Sequence, residues 1–244
     1  MHLLLTRPDT GPEPDLMQAA LVAAGHRITQ APLLSIALTG AMPPLDGVQA
    51  LIATSRNGLR AVAAGPLGDD VLGLPLFAVG PATAKLGRSL GFRRVVEGPG
   101  GARALEAVIA ADADPAAGVL LHLAGDTLAF DLGGALAGRG LSVRTEIVYR
   151  TETAGAIPAE AVAAMRQGTL DGVVLMSPRT AKVYAKLVGA AALVAEARRM
   201  VHFCLSEAVG EELGPLGAVR IAVARSPHSE EMLALIAREA SDSR

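Results

Sequence analysis

Short apolar runs alternate with stretches of helical spacing along the chain. Leu3-Leu4-Leu5 is the first run. Leu16, Ala19, Ala20 and Ala23 follow at i, i+3, i+4, i+7, a spacing that predicts a helix with these residues inward and Gly25 closing it. Further runs are Leu51-Ile52-Ala53, Leu76 to Val79, Val95-Val96, Val119 to Leu123, Val173 to Met176, Val201 to Leu205 and Ile221 to Ala224. Helical segments separate most of them. Strand, helix and strand in alternation predict an α/β fold with parallel sheets covered by helices. Ligands of such folds gather at the carboxyl ends of the strands.

The second half repeats the plan of the first. Leu51-Ile52-Ala53-Thr54-Ser55-Arg56-Asn57 matches Val173-Val174-Leu175-Met176-Ser177-Pro178-Arg179: an apolar strand ending in Ser before a helix start. Phe77-Ala78-Val79-Gly80 matches Phe203-Cys204-Leu205-Ser206. Glu97-Gly98-Pro99 before Leu105 matches Arg225-Ser226-Pro227 before Leu233. The opening unit, Leu3 to Arg7 with its helix and Gly25, recurs as Leu120 to Gly125 with a helix and Gly140. One copy buries too little by itself, so copies pair into lobes. Each lobe is either contiguous, or the opening unit joins the last and the two middle units join each other. Pattern alone leaves both open. The repeat faces its turns towards one cleft between the lobes, the expected working site.

Composition narrows the function. A formal net charge of −2 supplies no field to draw nucleic acid or an anionic membrane. With no Trp, two Tyr and four Phe, platforms for base stacking are absent. The single Cys204 excludes an internal disulfide and a cysteine-cluster metal site, which fits a reducing, cytoplasmic setting. Met1 to Asp9 shows no basic-then-apolar leader, and no apolar run approaches the roughly 20 residues of a membrane span. There is no G-x-G-x-x-G after the first strand and no G-x-x-x-x-G-K-[ST]. His2, His26, His122, His202 and His228 lack metal-ligand spacing, and Ser55 has no evident His partner. Chemistry here would have to come mostly from the substrate.

The candidate contacts are strand-to-helix turns. In Thr54-Ser55-Arg56-Asn57-Gly58, Ser55 or Asn57 caps a helix whose free N–H groups attract an anion; a plain N-cap is the alternative. In Ala78-Val79-Gly80-Pro81-Ala82-Thr83-Ala84, Gly80 permits close backbone approach, Pro81 suits the first helical position and Thr83 offers a hydroxyl; a tight turn needing Gly is the alternative. Arg7, in Thr6-Arg7-Pro8, could hold a carboxylate through both arms of its guanidinium or stand on the surface. Of the two tyrosines, Tyr149 and Tyr184, Tyr149 lies in a possible crossing and could turn its hydroxyl to the cleft or pack in the core.

Taken together, Thr6-Arg7-Pro8, Ala53 to Gly58, Ala78 to Ala84, Val148-Tyr149-Arg150, Met176-Ser177-Pro178 and Pro227 with its helix resemble the uroporphyrinogen-III synthase family over nearly the whole chain. The resemblance implies two Rossmann-like or flavodoxin-like lobes with an interleaved chain and a two-strand linker. Residues 1–35 with 151–244 would form one lobe and 36–150 the other, with crossings near 32–38 and 146–151. It implies a monomeric, cytoplasmic cyclising lyase of heme biosynthesis that turns hydroxymethylbilane, a linear tetrapyrrole polycarboxylate, into uroporphyrinogen III with ring D inverted. No cofactor or metal and no nucleic-acid or membrane partner is implied. Tyr149 would assist departure of the hydroxyl. Arg7, Ser55, Asn57, Gly80, Thr83, Gly125, Ser177, Ser206 and Pro227 would line the substrate site. The chain departs from the family after a later strand, where Ser206 and Val209 stand in place of a Gly and a Thr. Competing readings are a two-lobed binder of a small anion and a nucleotide-sugar transferase; the latter lacks a diphosphate or metal-binding feature.

Overall fold

The chain crosses twice between two compact units, so one unit is assembled from the two ends of the chain, Met1–Ser35 with Glu152–Arg244, and the other is the continuous middle, Ile36–Thr151. The computed structural model describes residues 1–8 and 15–242. Asp9, the end of the stretch read for a leader, lies outside them.

Unit one opens with β1 (His2–Leu5), α1 (Leu16–Ala23) and β2 (Arg27–Gln30), and β3 (Leu34–Leu38) leads out of it. Unit two then runs through β4 (Val48–Ala53), α2 (Arg56–Val62), α3 (Asp69–Leu72), β5 (Leu76–Ala78), α4 (Pro81–Ser89), β6 (Val95–Glu97), α5 (Ala102–Asp112), β7 (Val119–Gly125), α6 (Leu132–Ala137) and β8 (Val143–Thr153). The return adds α7 (Ala159–Arg166), β9 (Gly172–Leu175), α8 (Pro178–Ala190), α9 (Val194–Ala197), β10 (Val201–Cys204), α10 (Glu207–Glu211), β11 (Arg220–Val223) and α11 (Ser229–Asp242) to unit one.

The sheet of unit one has the order β11-β10-β9-β1-β2, with parallel pairing throughout. β1 therefore stands beside β9, with Leu4 opposite Val173. This decides the pairing that pattern left open: the opening unit joins the last. The sheet of unit two has the order β3-β8-β7-β4-β5-β6. Its strands are parallel from β8 to β6. β3 and β8, which carry the two crossings, pair in opposite senses: Thr39 donates to the Val148 carbonyl at 2.9 Å and Ala154 to that of Leu33 at 3.0 Å.

Each sheet is apolar on both faces. In unit two, Leu51, Ala53, Leu121 and Leu123 form one layer, and Ile52, Phe77, Leu105, Leu120 and Leu136 the other. Burying each such side chain contributes roughly 1.5–3 kcal/mol, which is why the strands read as unbroken apolar runs.

Two details differ from the sequence pattern. α1 exists, but it buries Met17 and Leu21, while Leu16 is 79% exposed. Alanines at a helical period carry too little apolar area to set the buried face against one Met and one Leu. In the last repeat the equivalent of Leu105 is Met232. Both are wholly buried at the fourth position of their helices, whereas Leu233 is only partly covered. The loop before α11 is spaced differently from that before α5, so equal spacing from proline misleads by one residue.

Candidate functional site

The carboxyl ends of β4 and β7 and the middle of β8 in unit two surround a cavity of about 300 Å³. Tyr149 forms one wall. Its half-buried ring lies against Gly125, where an added Cβ would come within 2.5 Å of Cζ and 2.8 Å of the hydroxyl oxygen. The β7–β8 register shifts between Ala124 and Gly125, so Gly125 pairs with Tyr149 itself. That irregularity re-aims the side chain at the strand end. Thr54 and His122 stand together from adjacent strands, with Thr54 Oγ1 and His122 Nε2 at 2.9 Å. Burial alone pulls the imidazole down to about 4, so His122 is neutral at pH 7. Gly100, Gly101 and Ala102 bring the start of α5, which no side chain caps. Phe130 closes an apolar side, and Arg103 stacks over it with Cζ 4.8 Å from the ring centre.

The residues expected from the sequence fall into separate places. Tyr149 and Gly125 are joined at this cavity. Gly80 adjoins it: it caps α4 with extended backbone, and its Cβ position is 3.0 Å from the Gly100 Cα, a close approach that favours glycine. Thr83 lies buried inside α4. Ser55 is the N-cap of α2, accepting from the Asn57 N–H at 3.2 Å, and Asn57 Oδ1 accepts from Arg60 at 3.2 Å. α2 seats closely on β7, because a Cβ on Gly58 would lie 2.6 Å from the Leu123 carbonyl oxygen.

Unit one carries the matching turns. Ser177 caps α8, accepting from the Thr180 N–H at 3.1 Å and sharing a 2.8 Å bond with its hydroxyl. Ser206 begins α10 without a side-chain cap bond, and Val209 is buried in the core beneath. Arg7 is engaged by Asp15, 3.2 Å away, whose carboxylate also caps α1. Pro227 is exposed just before α11. Tyr184 is fully buried in unit one, edge-on to His202. Among the described residues no cluster of His, Cys, Asp and Glu could hold a metal ion, and no helix is long and apolar enough to cross a membrane.

His122 is the residue that sequence reasoning missed. A signal was available: a lone histidine in the apolar run Val119 to Leu123, where the opening copy has only leucines.

Comparison with known proteins decides the family. The family model for uroporphyrinogen-III synthase HemD matches residues 15–234. The chain belongs to the uroporphyrinogen-III synthase family. No curated protein matches it by sequence. Solved structures share the fold at low identity. The crystal structure of uroporphyrinogen-III synthetase from Helicobacter pylori 26695 is 14% identical, with a TM-score of 0.68, covering 98% of this chain and 99% of that one. A mutant uroporphyrinogen III synthase from the extremely thermophilic bacterium Thermus thermophilus is 17% identical, with a TM-score of 0.52, covering 99% of both. As a member of the uroporphyrinogen-III synthase family, the chain is a cyclising lyase of tetrapyrrole biosynthesis with the family's two-lobed α/β fold.

Proposed function

We propose that the chain closes hydroxymethylbilane to uroporphyrinogen III with inversion of ring D, acting as a monomer in the cytoplasm without metal or cofactor. The family match over residues 15–234 carries this reading. Tyr149, held over Gly125 at a strand end, supports a role for its hydroxyl in loss of the terminal hydroxyl of the bilane. The C–O bond breaks while the phenol hydrogen-bonds to the departing oxygen, and a proton delivered from solvent turns the leaving hydroxide into water. The azafulvene cation so formed is attacked by the substituted carbon of ring D to give a spiro intermediate. The older bond from that carbon to the ring C methylene then breaks, the methylene joins the free α-carbon of ring D, and loss of that carbon's proton to solvent restores the pyrrole with ring D turned over. The substrate ionises readily, so the protein acts chiefly by orientation, which favours the inverted product over direct closure.

In this reading the substrate's carboxylates meet the N–H groups and hydroxyls at Ser55, Asn57, Gly80, Thr83, Ser177 and Ser206, with Arg7, Gly125 and Pro227 completing the lining. Helix starts can hold several anions without a large positive net charge, which agrees with a formal charge of −2. Purified protein given hydroxymethylbilane should yield the type III isomer, before and after dialysis against a chelator. Accumulation of only the type I isomer, as in the uncatalysed closure, refutes the reading. Light scattering on the same sample should return the monomer mass.

A further inference from the structure

The repeat makes each unit an internal control for the other. β4 matches β9 by sequence, with Leu51 equivalent to Val173, Ile52 to Val174 and Thr54 to Met176. In the sheets, His122 stands opposite Ile52 and Leu5 opposite Val174. His122 is therefore the counterpart of Leu5, and Thr54 that of Met176. In unit one both counterparts belong to the apolar layer that also holds Met17, Leu21 and Met232. The fold thus builds this position from leucine and methionine without difficulty. In unit two the same position carries a hydrogen-bonded polar pair, with the histidine only 2% exposed, and it borders a cavity. Burying an imidazole in an apolar layer costs free energy that Leu5 and Met176 avoid. Packing does not account for the pair.

The cavity's chemistry indicates what the pair meets. Its described lining residues include no Asp, Glu, Lys or Arg. The Tyr149 hydroxyl, the uncapped start of α5 and one of the two members of the Thr54–His122 pair, the other's proton being shared within the pair, can offer hydrogen-bond donors to it. Several charged groups on the surrounding elements are engaged elsewhere, and Arg150 and Glu152 of β8 are exposed. On α5, Arg103 stacks on Phe130, Glu106 pairs with Arg139 and Asp112 with Arg94. Asp131 caps α6, Asp126 accepts from the Thr151 N–H, and on β8 Arg144 and Glu146 face each other at 3.7 Å. Thr145 is the β8 register partner of His122.

We propose that the His122–Thr54 pair is a subsite for one carboxylate arm of the substrate, and that the imidazole takes a proton from solvent when the arm is seated. The inference rests on the tetrapyrrole reading above and adds to it a specificity-determining residue outside the strand-to-helix turns. Its physical basis is the uncompensated burial of His122. Burial keeps the free ring neutral. A carboxylate placed there supplies that charge and raises its proton affinity. The arm stays anionic, the ring becomes imidazolium, and the proton comes from water.

The test uses the whole protein with uroporphyrin III, the oxidised and unreactive form of the product, as probe. Long-range ¹H–¹⁵N spectra of histidine-labelled protein report the charge of the His122 ring. Between pH 6 and 7.5 the ring should be neutral when free and imidazolium with the probe bound. The double variant His122→Leu/Thr54→Met copies unit one and so keeps a packing the fold already uses. It should bind the probe about 10- to 100-fold more weakly at pH 6.5, the weight of a charge-assisted hydrogen bond. Relative to that variant, wild-type affinity should rise about tenfold for each unit fall in pH while the bound ring alone is protonated. A ring that stays neutral in the complex overturns the proposal, as does a double variant binding with wild-type affinity and pH dependence. Should wild type cyclise hydroxymethylbilane to the type III isomer while His122 stays neutral, only the subsite falls. If it neither cyclises the bilane nor binds the probe, the tetrapyrrole reading fails and takes this inference with it.

Discussion

Gly125 and Tyr149 are in direct contact across the β7–β8 bulge, and no side chain larger than hydrogen fits at residue 125 while the ring keeps its place. Gly125→Ala should therefore push the half-buried ring aside and leave the sheet intact. The expected outcome is loss of type III formation comparable to that of Tyr149→Phe, with a melting temperature near wild type. A fully active Gly125→Ala variant would show that the ring's position is unimportant.

Tyr149→Phe removes the hydroxyl and keeps the ring. General-acid assistance is typically worth about 10²–10⁴-fold. A substrate that ionises readily needs the low end, so turnover should fall about 100-fold to a measurable residue, with more type I product. Tyr184→Phe is the control. The Tyr184 hydroxyl is buried with no hydrogen-bond partner among the described residues, so its removal should leave activity unchanged and stability equal or higher by up to about 1 kcal/mol. Product ratios and melting curves for both variants decide the assignment.

Gly58 separates stability from catalysis. A methyl there meets the Leu123 carbonyl oxygen at 2.6 Å, a backbone atom that cannot turn away. Gly58→Ala should cost about 1–3 kcal/mol, the usual range for overpacking, read as a lower denaturant midpoint. An unchanged midpoint would mean that α2 does not seat on β7 as described.

Acid should weaken the fold through two histidines. Burial lowers both His122 and His202 to about 4, with the carbonyls of Arg220 and Met200 partly opposing the shift at His202. Their ordinary value is near 6.5, so the unfolded chain binds more protons between pH 6.5 and 4. Stability from each is complete above 6.5 and is lost as pH falls towards 4. The expected loss is about 2 kcal/mol per histidine at pH 5. His122→Leu/Thr54→Met should flatten the profile by one histidine's share. A profile as steep as wild type would mean that His122 does not titrate on unfolding.

Much of this molecule follows from its sequence. Apolar runs mark the strands because both faces of each sheet are covered, and Ser55, Gly80 and Ser177 mark helix starts because a strand-to-helix turn needs a cap or an open backbone. The repeat shows that two units share one plan. Which copy pairs with which is not written in local pattern, since Leu3 to Leu5 could add to either parallel sheet. Long-range hydrogen bonding decided it, by setting Leu4 beside Val173. The buried face of α1 depended on whether Met17 or Leu16 met the core. The His122–Thr54 pair joins residues 68 apart in the chain; only the register of β4 against β7 brings the hydroxyl to the imidazole, because parallel strands are aligned by the packing of the whole sheet and not by any signal within either strand.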